Sequence, residues 1–161
     1  MSWTLISKQS QVQEDGMAKQ VSDLVIKRIF KCSKRTLFDA WSTPSIMANW
    51  LYAKREPFCK STITSSFSVG GDYSVTMHME GTDVHIFGTY TEINRYNRIA
   101  FTWTSPVAKE SQVVLDFSDL SANRTEFTLT HNLFPSDEVR ASHNAGWDVC
   151  LDHLQERVLA A

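Results

Sequence analysis

Hydrophobic and polar positions change their period twice along this chain. Ser22 to Phe30 is apolar and β-branched at its centre (Leu24, Val25, Ile26, Ile29, Phe30) and predicts a first strand. After it the period becomes helical. Ser33 N-caps a short helix whose apolar side is Leu37, Phe38, Ala40 and Trp41. Pro44 stops that helix and opens a second, running through Ile46 and Met47 to Trp50 and Leu51. From Ser61 to Asn132 the period is that of strands. Ser61 to Ser68 leads into a Gly70-Gly71 turn, after which Tyr73, Val75, Met77 and Met79 alternate with Asp72, Ser74, Thr76 and His78. Val84 to Ile93 follows, with Gly88 marking a bend or close approach. Ile99, Phe101 and Trp103 share one face of the next strand; beyond a loop at Pro106, Val113, Leu115 and Phe117 share one face of another. The final strand puts Phe127, Leu129 and His131 on one side.

The last stretch, Ser136 to Val158, predicts one long helix. Ser136 is its N-cap, Asp137 and Glu138 sit at the positive end of the helix dipole, and Arg157 sits near the negative end. At 100° per residue, Val139, His143, Gly146, Trp147, Cys150, Leu151, Leu154 and Val158 fall in one arc, opposite Asn144, Asp148, Asp152 and Gln155. The buried arc is uneven. It holds a glycine, a tryptophan and a histidine where a plain core would use Leu or Ile. Gly146 costs about 1 kcal/mol against Ala in a helix interior, so close approach of the sheet or room for a ligand should offset it.

Strand, two short helices, about six antiparallel strands, long helix: this order predicts an α+β domain. A curved antiparallel sheet of about seven strands would wrap the C-terminal helix. Such a layout permits a cavity between helix and sheet. The domain is expected over 21–161, and the polar, glutamine-rich residues 1–20 as a flexible tail.

Composition narrows the function classes. A chain of 161 residues fits one domain. Its net charge of −2 provides no basic field for nucleic acid or anionic membrane. No apolar run approaches the ~20 residues that cross a bilayer, and the start lacks the basic-then-apolar order of a secretory signal. Cys32, Cys59 and Cys150 are odd in number and far apart, which predicts buried, reduced thiols in a cytoplasmic protein.

Candidate chemistry centres on two histidines. His131 ends the last strand on its apolar face and His143 lies in the helix's buried arc, so the two should approach each other. They read either as polar anchors for a ligand oxygen or carboxylate, or as core histidines with protein partners. Trp50, Trp103 and Trp147 are likewise pocket walls or core, with Tyr73, Met77 and Phe101 as apolar wall. Lys54, Arg55 and Lys60 form a small basic cluster in the loop before the sheet. No third ligand accompanies the histidines, so neither a metal nor another cofactor is expected. No G-x-S-x-G elbow, H-E-x-x-H or phosphate-cradling loop occurs.

Several short pieces together resemble a known family. They are Phe38-Asp39-Ala40-Trp41 with Pro44 and Trp50, Gly70-Gly71-Asp72-Tyr73, Gly88-Thr89-Tyr90 running into Glu92-Ile93, Arg98-Ile99 through Thr102-Trp103, Thr125 to His131, and His143, Gly146 and Trp147. In order and spacing the chain resembles the activator of heat-shock protein 90 ATPase family, of the START-like helix-grip superfamily, over about 22–158. The resemblance implies a hydrophobic ligand gripped between sheet and helix. Trp50, Tyr73, Met77, Phe101, Trp103, His131, His143 and Trp147 would be its lining. It implies two alternatives. One is a co-chaperone-like interaction module, with a chaperone or a second copy as partner. The other is a cyclase- or hydrolase-type enzyme using His131 or His143 as general acid or base.

Overall fold

The computed structural model describes residues 21–53 and 59–159. The tail expected at 1–20, and Lys54 and Arg55 of the basic cluster, lie outside the described residues. The chain runs β1 (Leu24–Phe30), α1 (Lys34–Ser42), α2 (Pro44–Met47), β2 (Thr62–Ser65), β3 (Asp72–Met79), β4 (Thr82–Asn94), β5 (Arg98–Ser105), β6 (Ala108–Ser121), β7 (Arg124–Asn132) and α3 (Asp137–Leu154). A π-helical turn, Gln155–Leu159, continues α3.

Seven strands form one sheet in the order β1-β7-β6-β5-β4-β3-β2. Each neighbouring pair is antiparallel. The strands β2 to β7 therefore make a meander, and β1 returns to its far edge, pairing Leu24 with His131 and Phe30 with Thr125. Helices α1 and α2 carry the chain from one edge of the sheet to the other. This is the helix-grip arrangement.

Local chemistry accounts for the boundaries. The Ser33 hydroxyl accepts the Thr36 N–H at the start of α1, and the Ser136 hydroxyl accepts the Val139 N–H at the start of α3. The second helix is shorter than its apolar pattern predicts. Trp50 N–H donates to the Met47 carbonyl three residues back, and Tyr52 takes a left-handed φ of 52°, so the chain turns out of the helix. Gly88 marks a close approach, as expected. A Cβ there would collide with the Thr102 carbonyl oxygen and lie 2.8 Å from the Tyr73 ring.

The inner faces of β5, β6 and β7 are as the alternation predicts: Ile99, Phe101, Trp103, Val113, Leu115, Phe117, Phe127 and Leu129 are all buried. On β3 the pattern fades along the strand. Tyr73 and Val75 are buried, Met77 is half-buried and Met79 is exposed, because the far end of the β3–β4 hairpin is not covered. The thiols also differ from expectation: Cys150 is buried, whereas Cys32 and Cys59 are half-buried.

Polar tethers hold α3 along its length. Arg28 on β1 reaches Asp152 at 2.8 Å and Asp148 at 3.2 Å on the helix's wet face. Arg140 donates to the carbonyls of Ser22 and Asp23, and Arg157 to that of Asn49 after α2. None of the described helices is long and apolar enough to cross a membrane.

Candidate functional site

Aromatic rings fill the middle of the seam between α3 and the sheet. The Trp147 ring lies 4.8 Å from Trp103 on β5 and 5.9 Å from Trp41 on α1. Trp41 in turn lies 4.6 Å from Trp50 and stacks on Phe127 at 5.6 Å. Trp50 donates its indole N–H to the Ala40 carbonyl. Next to this cluster, between the short helices and strands β3 to β5, lies a void of about 10 Å³ bordered by Trp41, Met47, Leu51, Tyr73, Tyr90, Phe101 and Trp103. That is room for roughly one water. The space the layout permits beneath the helix is thus occupied by the tryptophans themselves.

The two histidines do meet. Their ring centroids are 5.2 Å apart, edge to face. They play different parts. His131 is fully buried, and both of its nitrogens have protein partners. Trp147 donates its indole N–H to Nδ1 (3.1 Å), so the ring proton sits on Nε2 and is donated to the Ser111 hydroxyl (2.8 Å). Ser111 then donates to the Trp103 carbonyl (2.7 Å). One unbroken chain of hydrogen bonds stitches helix to sheet. Burial, with His143 nearby, lowers the His131 pKa to about 3, so the ring is neutral. His143 donates from Nδ1 to the Val139 carbonyl one turn back (2.9 Å), and burial lowers its pKa as well.

Beside the N-terminal half of α3 the seam opens. A groove of about 400 Å³ lies between Ser142, His143 and Gly146 of the helix, Met77 of β3, Val84 and Ile86 of β4, and Ser105, Pro106 and Val107 at the β5–β6 turn, with Tyr52 among its walls. Its size falls within the range of small-molecule sites. Among the described residues the lining contains no Asp, Glu, Lys or Arg. Its polar groups are the His143 ring and the hydroxyls of Tyr52, Ser105 and Ser142. The Ser105 hydroxyl accepts the Ala108 N–H (3.1 Å).

Tyr52 closes the inner end of this groove. Its ring lies 5.7 Å from both Trp103 and Trp147, and its backbone N–H donates to the buried Cys150 sulfur. A Cβ on Gly146 would sit 2.9 Å from the Tyr52 hydroxyl oxygen. The glycine therefore makes room for a tyrosine from the loop after α2, not for the sheet. Burial raises the Tyr52 pKa, which keeps the phenol protonated.

Of the residues singled out in the sequence, Met77 and His143 border the groove. His131, Trp103 and Trp147 form the layer behind it. Trp50, Tyr73 and Phe101 lie deeper, around or beyond the small void. Sequence reasoning did not single out Tyr52, Val84, Ile86, Ser105, Pro106 or Val107. Ile86 was readable from the alternation in β4. Tyr52 was not, since its place depends on a left-handed turn and a glycine 94 positions later. A second hollow, of about 570 Å³, lies on the other face of the sheet around Phe87. Its polar side chains pair with one another, Thr64 with Ser74 (2.6 Å) and Thr89 with Asp72 (2.9 Å). Among the described residues no group of three His, Cys, Asp or Glu could hold a metal ion.

A meander sheet gripping one C-terminal helix, with two short helices after the first strand, defines a START-like helix-grip domain. More closely, the chain belongs to the family Activator of Hsp90 ATPase homolog 1-like protein, whose profile matches residues 31–158. No curated protein matches it. Among solved structures it is similar to protein CV1439 from Chromobacterium violaceum, with a TM-score of 0.73 and 18% identity over 86% of this chain and 99% of that one. It is also similar to PFC0360w, an HSP90 activator from Plasmodium falciparum (TM-score 0.65, 22% identity, 82% of this chain and 92% of that one). CalU16 from Micromonospora echinospora is a further neighbour (TM-score 0.62, 18% identity, 82% and 73%). At these identities the likeness speaks for the fold.

Proposed function

We propose that the chain binds a small, largely hydrophobic molecule in the groove beside the N-terminal half of α3. The observation that carries this reading is a mostly apolar recess of about 400 Å³ with a histidine in its wall and no charged side chain among its described lining residues. Binding would remove apolar ligand surface and the exposed parts of Met77, Val84 and Val107 from water, at roughly 25 cal/mol per Å². The site is the end of the seam, not its centre, because the rings of Trp147, Trp103 and Trp41 pack the centre. A cytoplasmic setting fits the free thiols of Cys32, Cys59 and Cys150.

A screen of alkyl-aromatic and lipid-like compounds by thermal shift, followed by methyl NMR of Met77, Val84 and Ile86, tests the proposal. Binders should raise Tm and move those methyl signals. If no compound does both, the groove is not a ligand site.

Family membership favours a second reading, in which the outer surface modulates a heat-shock protein 90 ATPase. Support comes from the family's name and from PFC0360w, an HSP90 activator. An ATPase assay in which adding the chain leaves chaperone turnover unchanged would remove it.

A further inference from the structure

We propose that the groove selects an uncharged, mainly apolar molecule carrying a hydroxyl, or a similar donor, that hydrogen bonds to Nε2 of His143, and that it discriminates against carboxylates. This rests on the groove being a ligand site, as proposed above.

Three observations point the same way. First, the His143 tautomer is set by the helix itself. Nδ1 donates to the Val139 carbonyl at 2.9 Å, so a neutral ring keeps its lone pair on Nε2. That nitrogen has no partner among the described residues, and the ring borders the groove. An aprotic nitrogen facing the groove is an acceptor that water can serve, and a ligand that covers it without offering a donor leaves it unsatisfied, which is costly.

Second, nothing nearby turns that acceptor into a cation. Among the described residues no carboxylate borders the groove to hold a charged imidazole. Burial lowers the His143 pKa, and the facing His131 is itself neutral. Third, among the described residues no Lys or Arg borders the groove. A carboxylate brought there would face the Nε2 lone pair without a counter-charge, against a high desolvation cost. A fatty acid is therefore a poor fit, and an alkylphenol or long-chain alcohol a good one.

Three probes that differ in one group test this: 4-butylphenol, 4-butylanisole and 4-butylbenzoate, each titrated into the full chain at pH 7 by calorimetry. Methyl NMR of Met77 and Ile86 locates the binding. At pH 7 the phenol is protonated and the benzoate ionised. The phenol should bind about tenfold tighter than the anisole, the effect of one hydrogen bond at the upper end of the usual range. The benzoate should bind weakest. His143→Phe should abolish the phenol's advantage while the anisole still binds, and His143→Gln, which keeps an acceptor oxygen, should retain part of it. Equal binding of phenol and anisole, or tightest binding of benzoate, overturns the selectivity and leaves the groove as a ligand site. Absence of binding by all three, or methyl shifts confined to other regions, overturns the groove reading together with it.

Discussion

Trp147 on the helix donates its indole N–H to Nδ1 of His131 on the sheet, at 3.1 Å, and this bond can exist only while the imidazole is neutral. Protonating Nδ1 would place two donors face to face in a fully buried setting. The group's folded pKa is about 3 against an ordinary 6.5. A lowered histidine pKa means the unfolded chain binds protons that the folded one refuses, so stability rises with pH through that window. It is full above 6.5 and falls as pH drops toward 3. His143, also lowered, adds with the same sign. Urea unfolding between pH 7 and 5.5, about a pH unit or more above the ordinary Asp and Glu pKa values, should show stability falling by on the order of 1–2 kcal/mol per pH unit below pH 6. His131→Gln should flatten the profile. A flat wild-type profile would contradict the neutral, buried chain of hydrogen bonds.

Gly146 and Tyr52 should be coupled. Alanine at 146 gains about 1 kcal/mol of helix propensity, but its Cβ would press on the Tyr52 hydroxyl at 2.9 Å. The next Tyr52 atoms are at 3.5 Å, an ordinary contact. Gly146→Ala should therefore be neutral or destabilising in the wild-type background and stabilising in Tyr52→Phe. A double-mutant cycle should return a coupling of about 1 kcal/mol. Additive single effects would mean that the hydroxyl does not press on the helix.

Gly88 offers no such release. The atom its Cβ would strike is the Thr102 carbonyl oxygen, part of the neighbouring strand's backbone, with the Tyr73 ring at 2.8 Å on another side. Backbone in the middle of a seven-stranded sheet does not step aside as a side chain does. Gly88→Ala should cost on the order of 3 kcal/mol or fail to fold, measured as a shift in the denaturation midpoint. Gly81→Ala makes a control of another kind. Its φ of +88° strains any side chain, yet nothing lies within 4 Å, so its cost should be smaller, about 1 kcal/mol.

The strands were legible because side-chain alternation is a local signal. Phe101 beside Trp103 or Phe127 beside Leu129 announces a face without reference to the rest of the chain. The caps at Ser33 and Ser136 were legible for the same reason, and so was the meeting of His131 with His143. The filled seam was not. Whether three tryptophans wall a cavity or plug it depends on the helix-to-sheet distance, which no spacing in the sequence encodes. His153 escaped notice as well, although it is buried. The apolar arc is drawn for a helix with one neighbour, whereas the C-terminal half of α3 also faces the turn after α2, where Arg157 reaches the Asn49 carbonyl.

Val107 separates the site's chemistry from its architecture. It lines the groove yet is 56% exposed, so little of the core leans on it. Val107→Arg should leave the denaturation midpoint within about 0.5 kcal/mol of wild type, as for a surface position away from the packed interior. It would also introduce a positive charge at the groove, where the described lining residues of the wild type carry none. The ranking of the butyl probes should then change. The benzoate should gain severalfold, through a partly solvated ion pair of about 1 kcal/mol, while the phenol loses apolar contact. Trp147→Phe makes the opposite kind of change. It should destabilise the fold by removing the donor to His131, and leave the order of probe affinities as in wild type. If Val107→Arg changed stability but not the ranking, the groove's electrostatics would not be what selects its ligand.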